Sequence, residues 1–188
     1  FTGGNLWVQQ KKMVFQIQDF SDMQEAHIAK DKGKLKKDPK ISQTVVHLNF
    51  QGANEVTEIE KSHESTQYYN YYLGNDKSKW ASNVHGYGEA VLKNLYNGID
   101  LKLIEKLQEL KYEFHVQPHV DPNVVVLDYA GQDALRIDNK GNLVIETVLG
   151  KIIEQKPYAY QIVNGNIREV ECAFVLTENT VTFNLGEY

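Results

Sequence analysis

The chain has 188 residues, with 20 Lys+Arg against 25 Asp+Glu and a formal net charge of −5. That length holds one domain or two small ones with a real core. No run approaches the ~20 apolar residues of a membrane helix. A lone Cys172 excludes an internal disulfide framework and a Cys-based zinc cluster, and the acidic balance argues against nucleic acid as the main partner.

The opening Phe1-Thr2-Gly3-Gly4 is neither a signal peptide nor a natural start. It predicts a processed chain or a fragment of a longer protein, with any targeting signal outside it. Leu6 and Val8, then Val14, Phe15, Ile17 and Phe20, flank the polar run Gln9-Gln10-Lys11-Lys12 and predict a hairpin. Asp22 to Lys32 carries Met23, Ala26 and Ile28 at helical spacing, confined by Gly33 and Pro39.

Lys30 to Lys40 holds six Lys and two Asp, a local charge of +4 that leaves −9 on the remainder. This predicts an exposed loop, since charge runs are usually solvated. Its functional reading is a contact through Lys34, Lys36 and Lys37 for an acidic partner or an anionic polysaccharide.

Val45, Val46, Leu48 and Phe50 predict a strand ended by Gly52. The polar stretch Glu60–Ser65 marks a possible subdivision near 60–66 of an otherwise single domain spanning 1–188. Tyr68-Tyr69-Asn70-Tyr71-Tyr72 follows, then Leu73-Gly74-Asn75-Asp76 as a turn and Trp80 as the anchor closing it. In a strand, Tyr69, Tyr71 and Leu73 face one side and Tyr68, Asn70 and Tyr72 the other. Aromatic residues favour half-buried sheets, so both rows are expected to be buried with their hydroxyls bonded at the edges. If one row is exposed, Tyr68, Tyr69, Tyr72 and Trp80 are the candidate ligand-binding residues. Each offers a flat apolar face and a polar tip to a sugar ring or a protein.

Glu89 to Leu95 allows one or two helical turns. Leu101 to Leu110 reads as two strands around a turn at Glu105–Gln108, and Tyr112, Phe114 and Val116 alternate with polar residues. Val124 to Tyr129 is a short apolar run. Asp138-Asn139-Lys140-Gly141-Asn142 is a turn between Leu135/Ile137 and Leu143/Ile145. Asn164-Gly165 is a type I′ hairpin signal, because both central residues need positive φ. Val170, Cys172 and Phe174 alternate, as do Val181, Phe183 and Leu185. The fold class expected is all-β: an antiparallel, sandwich-like domain built of hairpins, with at most short helices.

Catalytic and metal motifs are weak. His115 and His119 are four apart, but Pro118 lies between them and His115 sits in a strand pattern, so no zinc pair is expected. Gly-x-Ser-x-Gly is absent, and Cys172 alternates with Val170 and Phe174 on a face expected to be buried. Gly86-Tyr87-Gly88 lacks the third glycine of a dinucleotide loop. A calcium loop opening at Asp138 would have Lys140 at its third position and Leu149 at its twelfth, where oxygen ligands are needed, so a turn is expected there. Among the acids, Asp76, Asp100, Glu113, Asp121, Asp128 and Asp138 lie in or near strands or turns, and no motif pairs any two of them for glycoside chemistry. No cofactor, no metal and no catalytic residue is assigned.

One resemblance runs through the chain. Asn70-Tyr71-Tyr72-Leu73-Gly74-Asn75-Asp76, Trp80, Val84, Tyr87 and Leu95-Tyr96-Asn97-Gly98-Ile99-Asp100-Leu101 carry its centre. Gly3-Gly4-Asn5-Leu6, His47 to Asn54, Leu110 to Phe114, Pro118 with Asp121-Pro122, Gly141-Asn142-Leu143, Pro157 to Gln161 and Val181-Thr182-Phe183 extend it. The pattern resembles the N-terminal domain of unknown function that precedes SBBP-type β-propeller repeats in large secreted bacterial proteins. Those proteins often end in a gliding-motility-type sorting domain read by the type IX secretion system of Bacteroidota. Two departures stand out: the family's usual Asn-Lys-Gly-Gln-type opening is missing, and His119-Val120 replaces its Gly-Ala.

The resemblance implies export, an extracellular or cell-surface location and a multidomain parent, and supplies no chemistry. Three functions follow as expectations. The first is a non-catalytic structural or interaction module, a docking, spacer or adhesion-associated unit. Its partners are other domains of the same chain or another surface or secretion-machinery protein, with neither nucleic acid nor membrane insertion. The second is a carbohydrate-binding β-sandwich, favoured by an exposed planar aromatic row. The third is a glycan-directed hydrolase, favoured by two acids facing each other in a cleft.

Overall fold

A computed structural model describes residues 4–33, 38–55, 58–106 and 109–188. In chain order its elements are β1 (Gly4–Gln9), β2 (Lys12–Asp19), α1 (Ser21–Asp31), β3 (Ser42–Gln51), β4 (Ile59–Tyr71), β5 (Ala81–Tyr96), β6 (Ile99–Lys106) and β7 (Glu109–Val116). They continue with β8 (Val126–Ala130), β9 (Ala134–Ile137), β10 (Leu143–Thr147), β11 (Gly150–Glu154), β12 (Ala159–Val163), β13 (Asn166–Val170), β14 (Cys172–Thr177) and β15 (Thr180–Leu185). Every paired strand is antiparallel, and the expected all-β, sandwich-like class holds. Two compact units form: Phe1–Ala53 with Asn123–Tyr188, and Asn54–Pro122. The stretch Glu60–Ser65 lies inside β4.

The first unit contains a six-stranded sheet in the order β1-β2-β3-β8-β15-β14. Alternation in its central strands makes one continuous apolar stripe. Met13, Leu48 and Tyr129 stand side by side on β2, β3 and β8, with Phe15 opposite Val46 in the next row. Phe50, Leu127 and Val181 form a further row on β3, β8 and β15. All eight side chains are buried. Each such burial contributes about 1.5–3 kcal/mol for a Leu- or Val-sized group, so this stripe is the unit's main driving force. A second sheet, β11-β10-β9, places Leu143, Val144 and Ile145 in the core. The two sheets meet where the Tyr129 hydroxyl donates to Glu154 Oε1 at 2.8 Å.

The turn chemistry follows the sequence. β12 and β13 are joined by Asn164 and Gly165, both at positive φ (53° and 80°), between the paired Val163 and Asn166. The Asp138 loop is a hairpin turn: Oδ1 accepts the N–H groups of Lys140 (2.8 Å) and Asn142 (3.0 Å), and Gly141 takes φ 83°. α1 fills the place expected for the helix and stops at Gly33 (φ 73°).

Gly131 follows β8 at φ 94°, where a Cβ would collide with the Val45 carbonyl oxygen on β3. That atom is backbone and cannot step aside. Gly131→Ala is therefore expected to lower stability by at least about 2 kcal/mol, as positive-φ strain adds to overpacking. Thermal unfolding followed by circular dichroism measures it, and an unshifted midpoint would show that the approach is not rigid.

The second unit is the four-stranded sheet β4-β5-β6-β7. Among the described residues, Leu92, Leu95, Tyr96, Ile99, Leu101 and Leu103 are its buried side chains, all on β5 and β6. The Leu101–Leu110 segment forms β6 and β7, with Lys106 paired to Glu109. One expectation fails here. Glu89–Leu95 is not helical but is the inner half of β5, paired with β4 on one side and β6 on the other. A strand flanked on both sides satisfies its backbone in the sheet, and this outweighs a local helical preference.

Candidate functional site

β5 pairs with β6 only from Glu89 onward, while β4 and β5 remain paired to Tyr71 and Ala81. Beyond the Ser62–Glu89 pair the sheet therefore narrows to a two-stranded arm. Ten residues of β4 at ~3.3 Å per residue give the arm a length of about 30 Å. Every residue of β4 is exposed. Thr66 and the tyrosines suit an extended backbone, but among the described residues no third strand pairs with the arm. An isolated hairpin of this kind is marginal in water.

Local bonds hold the arm in shape. The pairing shifts register between Glu64 and Tyr68 and again between Tyr69 and Tyr71, with His63 (φ 56°) and Asn83 (φ 57°) in the left-handed region. The Asn83 N–H, displaced from the ladder, donates to Asn70 Oδ1 at 2.9 Å. His85 Nδ1 lies 2.9 Å from the Ser65 carbonyl oxygen and 3.2 Å from Glu64 Oε1. The Lys61 ammonium sits 4.7 Å from the Tyr87 ring centre. Such bulges increase twist and re-aim side chains.

The tip is a built turn. Gly74 takes φ 63°, and the Trp80 indole N–H donates to its carbonyl oxygen at 3.1 Å, so Trp80 closes the turn as expected. Asp76 Oδ1 accepts from the Ser78 hydroxyl (2.7 Å) and N–H (3.1 Å), opening a single 3-10 turn at Lys77–Lys79. Those two bonds hold its carboxyl below the ordinary value. Tyr72 meets Trp80 edge to face at 5.2 Å, and Tyr69 lies 6.4 Å from Tyr71 at 37°.

The expected burial of the tyrosine rows is corrected here. Tyr68, Tyr69 and Tyr72 are 54–59% exposed and Trp80 is 39% exposed. The reason is topological: β6 pairs with β5 only as far out as Glu89, so among the described residues no strand beyond β4 and β5 reaches the tyrosines. Tyr71 (39%) and Leu73 (64%) join the exposed group, although sequence reasoning did not count them among the candidate ligand-binding residues. Their place in the same aromatic run was the available signal. The rings tilt relative to one another and do not form a planar row. Lys34, Lys36 and Lys37 lie outside the described residues.

A second exposed apolar face was not anticipated. Tyr158, Tyr160 and Ile162 alternate into β12, with Ile167 opposite Ile162 on β13. All four are exposed, and the two tyrosine rings are 5.8 Å apart. The alternation Tyr-Ala-Tyr-Gln-Ile carried this signal.

The remaining candidates of the sequence resolve into structural contacts. His115 Nε2 lies 2.9 Å from Glu113 Oε2, while His119 takes φ 66° in the loop after β7. Bonds to His115 first, then Lys111, hold the Glu113 carboxyl low. Burial pushes the Asp100 carboxyl up, but the Asn94 N–H (2.7 Å) and the Lys93 ammonium (2.7 Å) outweigh it and leave it low. Asp128 accepts from Asn49 Nδ2 at 3.2 Å. Burial pushes the Cys172 thiol up, as suits a core residue. Among the described residues, no group of three His, Cys, Asp or Glu is placed to hold a metal ion.

The model of one family, described as a domain of unknown function (DUF7948), matches the chain over residues 1–188. The chain belongs to that family. No curated protein and no solved structure matches it. DUF7948 membership therefore covers both units and the whole arm, and it brings no activity with it.

Proposed function

We propose that this DUF7948 domain is a non-catalytic interaction module of an exported, cell-surface bacterial protein, and that the β4–β5 arm is its contact element. The carrying observation is the arm itself: a two-stranded ribbon whose β4 residues are all exposed, ending in six exposed apolar side chains. Contiguous exposed apolar groups of this kind mark contact sites, and Tyr and Trp are the residues most enriched where binding energy concentrates. The setting rests on the sequence likeness to domains that precede SBBP-type propeller repeats in type IX-secreted proteins of Bacteroidota. Other domains of the same parent, or a surface or secretion-machinery protein, are the corresponding partners.

The non-catalytic reading draws support from the carboxyls. A glycosidase acid must be held above its ordinary pKa to carry a proton at neutral pH. The displaced carboxyls here, Asp76, Asp100, Glu113, Asp138 and Glu146, all shift downward. A second reading, carbohydrate binding at the tip, is favoured by the exposure of Tyr69 beside Tyr71 and of Tyr72 beside Trp80.

Fluorescently labelled chain applied to intact cells of the encoding bacterium tests the module. Retention that falls about tenfold or more in the Tyr69→Ser, Tyr72→Ser double variant is expected, the scale of losing a central aromatic contact. Equal retention of both proteins would overturn the assignment. A glycan array separates the second reading: binding abolished by Trp80→Ala and by Tyr69→Ala would move the site to sugar recognition.

A further inference from the structure

The arm has two long edges, and they differ. The β4 edge carries Glu64, His63 in the left-handed region (φ 56°) and two register shifts. Charges and bulges are what keep a sheet edge from pairing with a further strand. The β5 edge lacks both between Val84 and Gly88. No Lys, Arg, Asp or Glu occurs from Ala81 to Gly88. The extra residues of the Glu64–Tyr68 shift lie on β4, where residues 65–67 stand across from Gly86 alone. The direction of the β5 backbone groups follows from its inner half. The Lys93 N–H donates to the Glu58 carbonyl oxygen, toward β4, and the Asn94 N–H to Asp100 Oδ1, toward β6. Successive residues of a strand send these groups to alternate sides. Odd-numbered residues such as His85 and Tyr87 therefore face β4, and Asn83, which bonds Asn70, agrees. Val84 and Gly86 face the other side, where β6 pairs only as far out as Glu89. Among the described residues no strand pairs with them there.

We propose that the arm's partner is an extended segment of another protein, which adds as a third strand along Val84 and Gly86 of β5, in the line of β6. The proposal rests on the contact role assigned to the arm above and names the class of its partner. The incoming main chain exchanges ladder hydrogen bonds with Val84 and Gly86, and a third strand is what a marginal two-stranded ribbon lacks. In such strand addition the main chain supplies affinity and alternate side chains supply selectivity. Gly86 leaves one position bare. A Cβ built there meets nothing nearer than the Ser65 Cβ at 3.9 Å, so a large side chain of the incoming strand fits over it, as aromatic residues cover glycines in sheets. Beside that position stand Val84 and Tyr69, a cross-strand pair with both side chains exposed. With no acid or Lys along this edge, the segment selected is uncharged, with an aromatic or β-branched residue opposite Gly86.

Retention of the labelled chain on intact cells of the encoding bacterium tests the strand addition, read with three substitutions at Gly86. Gly86→Pro removes an N–H that faces away from β4, a place where an edge strand tolerates proline. It should lower retention about tenfold, the scale of leaving a ladder carbonyl unpaired. Gly86→Lys keeps the N–H but sets a charge on the edge, and should lower retention similarly. Gly86→Ala, whose Cβ makes only the Ser65 contact, should be retained like the parent. Amide hydrogen exchange followed by NMR checks the arm itself: the His85 and Tyr87 N–H groups should be as protected as in the parent. Where Gly86→Pro loses that protection, Gly86→Lys alone decides. Parent-level retention of Gly86→Lys, or an equal loss in Gly86→Ala, would overturn the strand addition. If the Tyr69→Ser, Tyr72→Ser variant is lost from cells while Gly86→Lys is retained, the strand addition is overturned and the contact role stands. If the intact chain is not retained at all, the contact role fails and the strand addition fails with it.

Discussion

Leu48→Ala is expected to lower the stability of the first unit by about 3–5 kcal/mol, near the top of the range for buried leucine truncation. Leu48 is fully buried on β3, between Met13 on β2 and Tyr129 on β8. Those neighbours belong to strands paired along their length, so the backbone cannot collapse into the space. The cavity term then adds to the lost transfer energy. Urea denaturation should show a lower midpoint with an unchanged slope. Leu73→Ala is the matched control: the same truncation at a largely exposed tip residue should change stability by less than ~0.5 kcal/mol. Equal losses at the two positions would show that the buried stripe is not the main source of stability.

Much of the architecture was legible because it is local. Gln10-Lys11, Asn164-Gly165 and the Asp138 loop each join strands adjacent in sequence; the first shows as a polar run between apolar residues, and the other two announce their turns by residue type. The helix at α1 and the core role of Cys172 were readable for the same reason. The pairings β3–β8 and β8–β15 were not, because they join distant segments whose alternation is compatible with many neighbours. The arm was misread through one missing fact. The Tyr68–Tyr72 pattern shows two aromatic rows but not whether a third strand covers them, and that depends on where β6 stops. β6 pairs with β5 only as far out as Glu89, so the tyrosines remain uncovered. The helical option at Glu89–Leu95 failed for a related reason: two flanking strands fixed an extended backbone there.

The exposed tyrosines also change the weight of the function classes. Full burial would have left the Tyr68–Tyr72 cluster with no surface to offer a ligand or partner. Their exposure on a long ribbon is the observation on which the proposed contact role rests. Part of the fold contributes little to the core yet is shaped by specific bonds: Trp80 to Gly74, Asn83 to Asn70, His85 to Ser65.

Excision of the arm tests the central claim most directly. Replacing residues 65–86 with Asn-Gly joins Glu64 to Tyr87, already a cross-strand pair, through a two-residue hairpin turn. The excised segment buries no side chain, so the remaining protein should melt within a few degrees of the parent, the shift of a change below about 1 kcal/mol. Its retention on cells should fall to background. Retention at the level of the intact chain, from a protein that melts normally, would contradict the account.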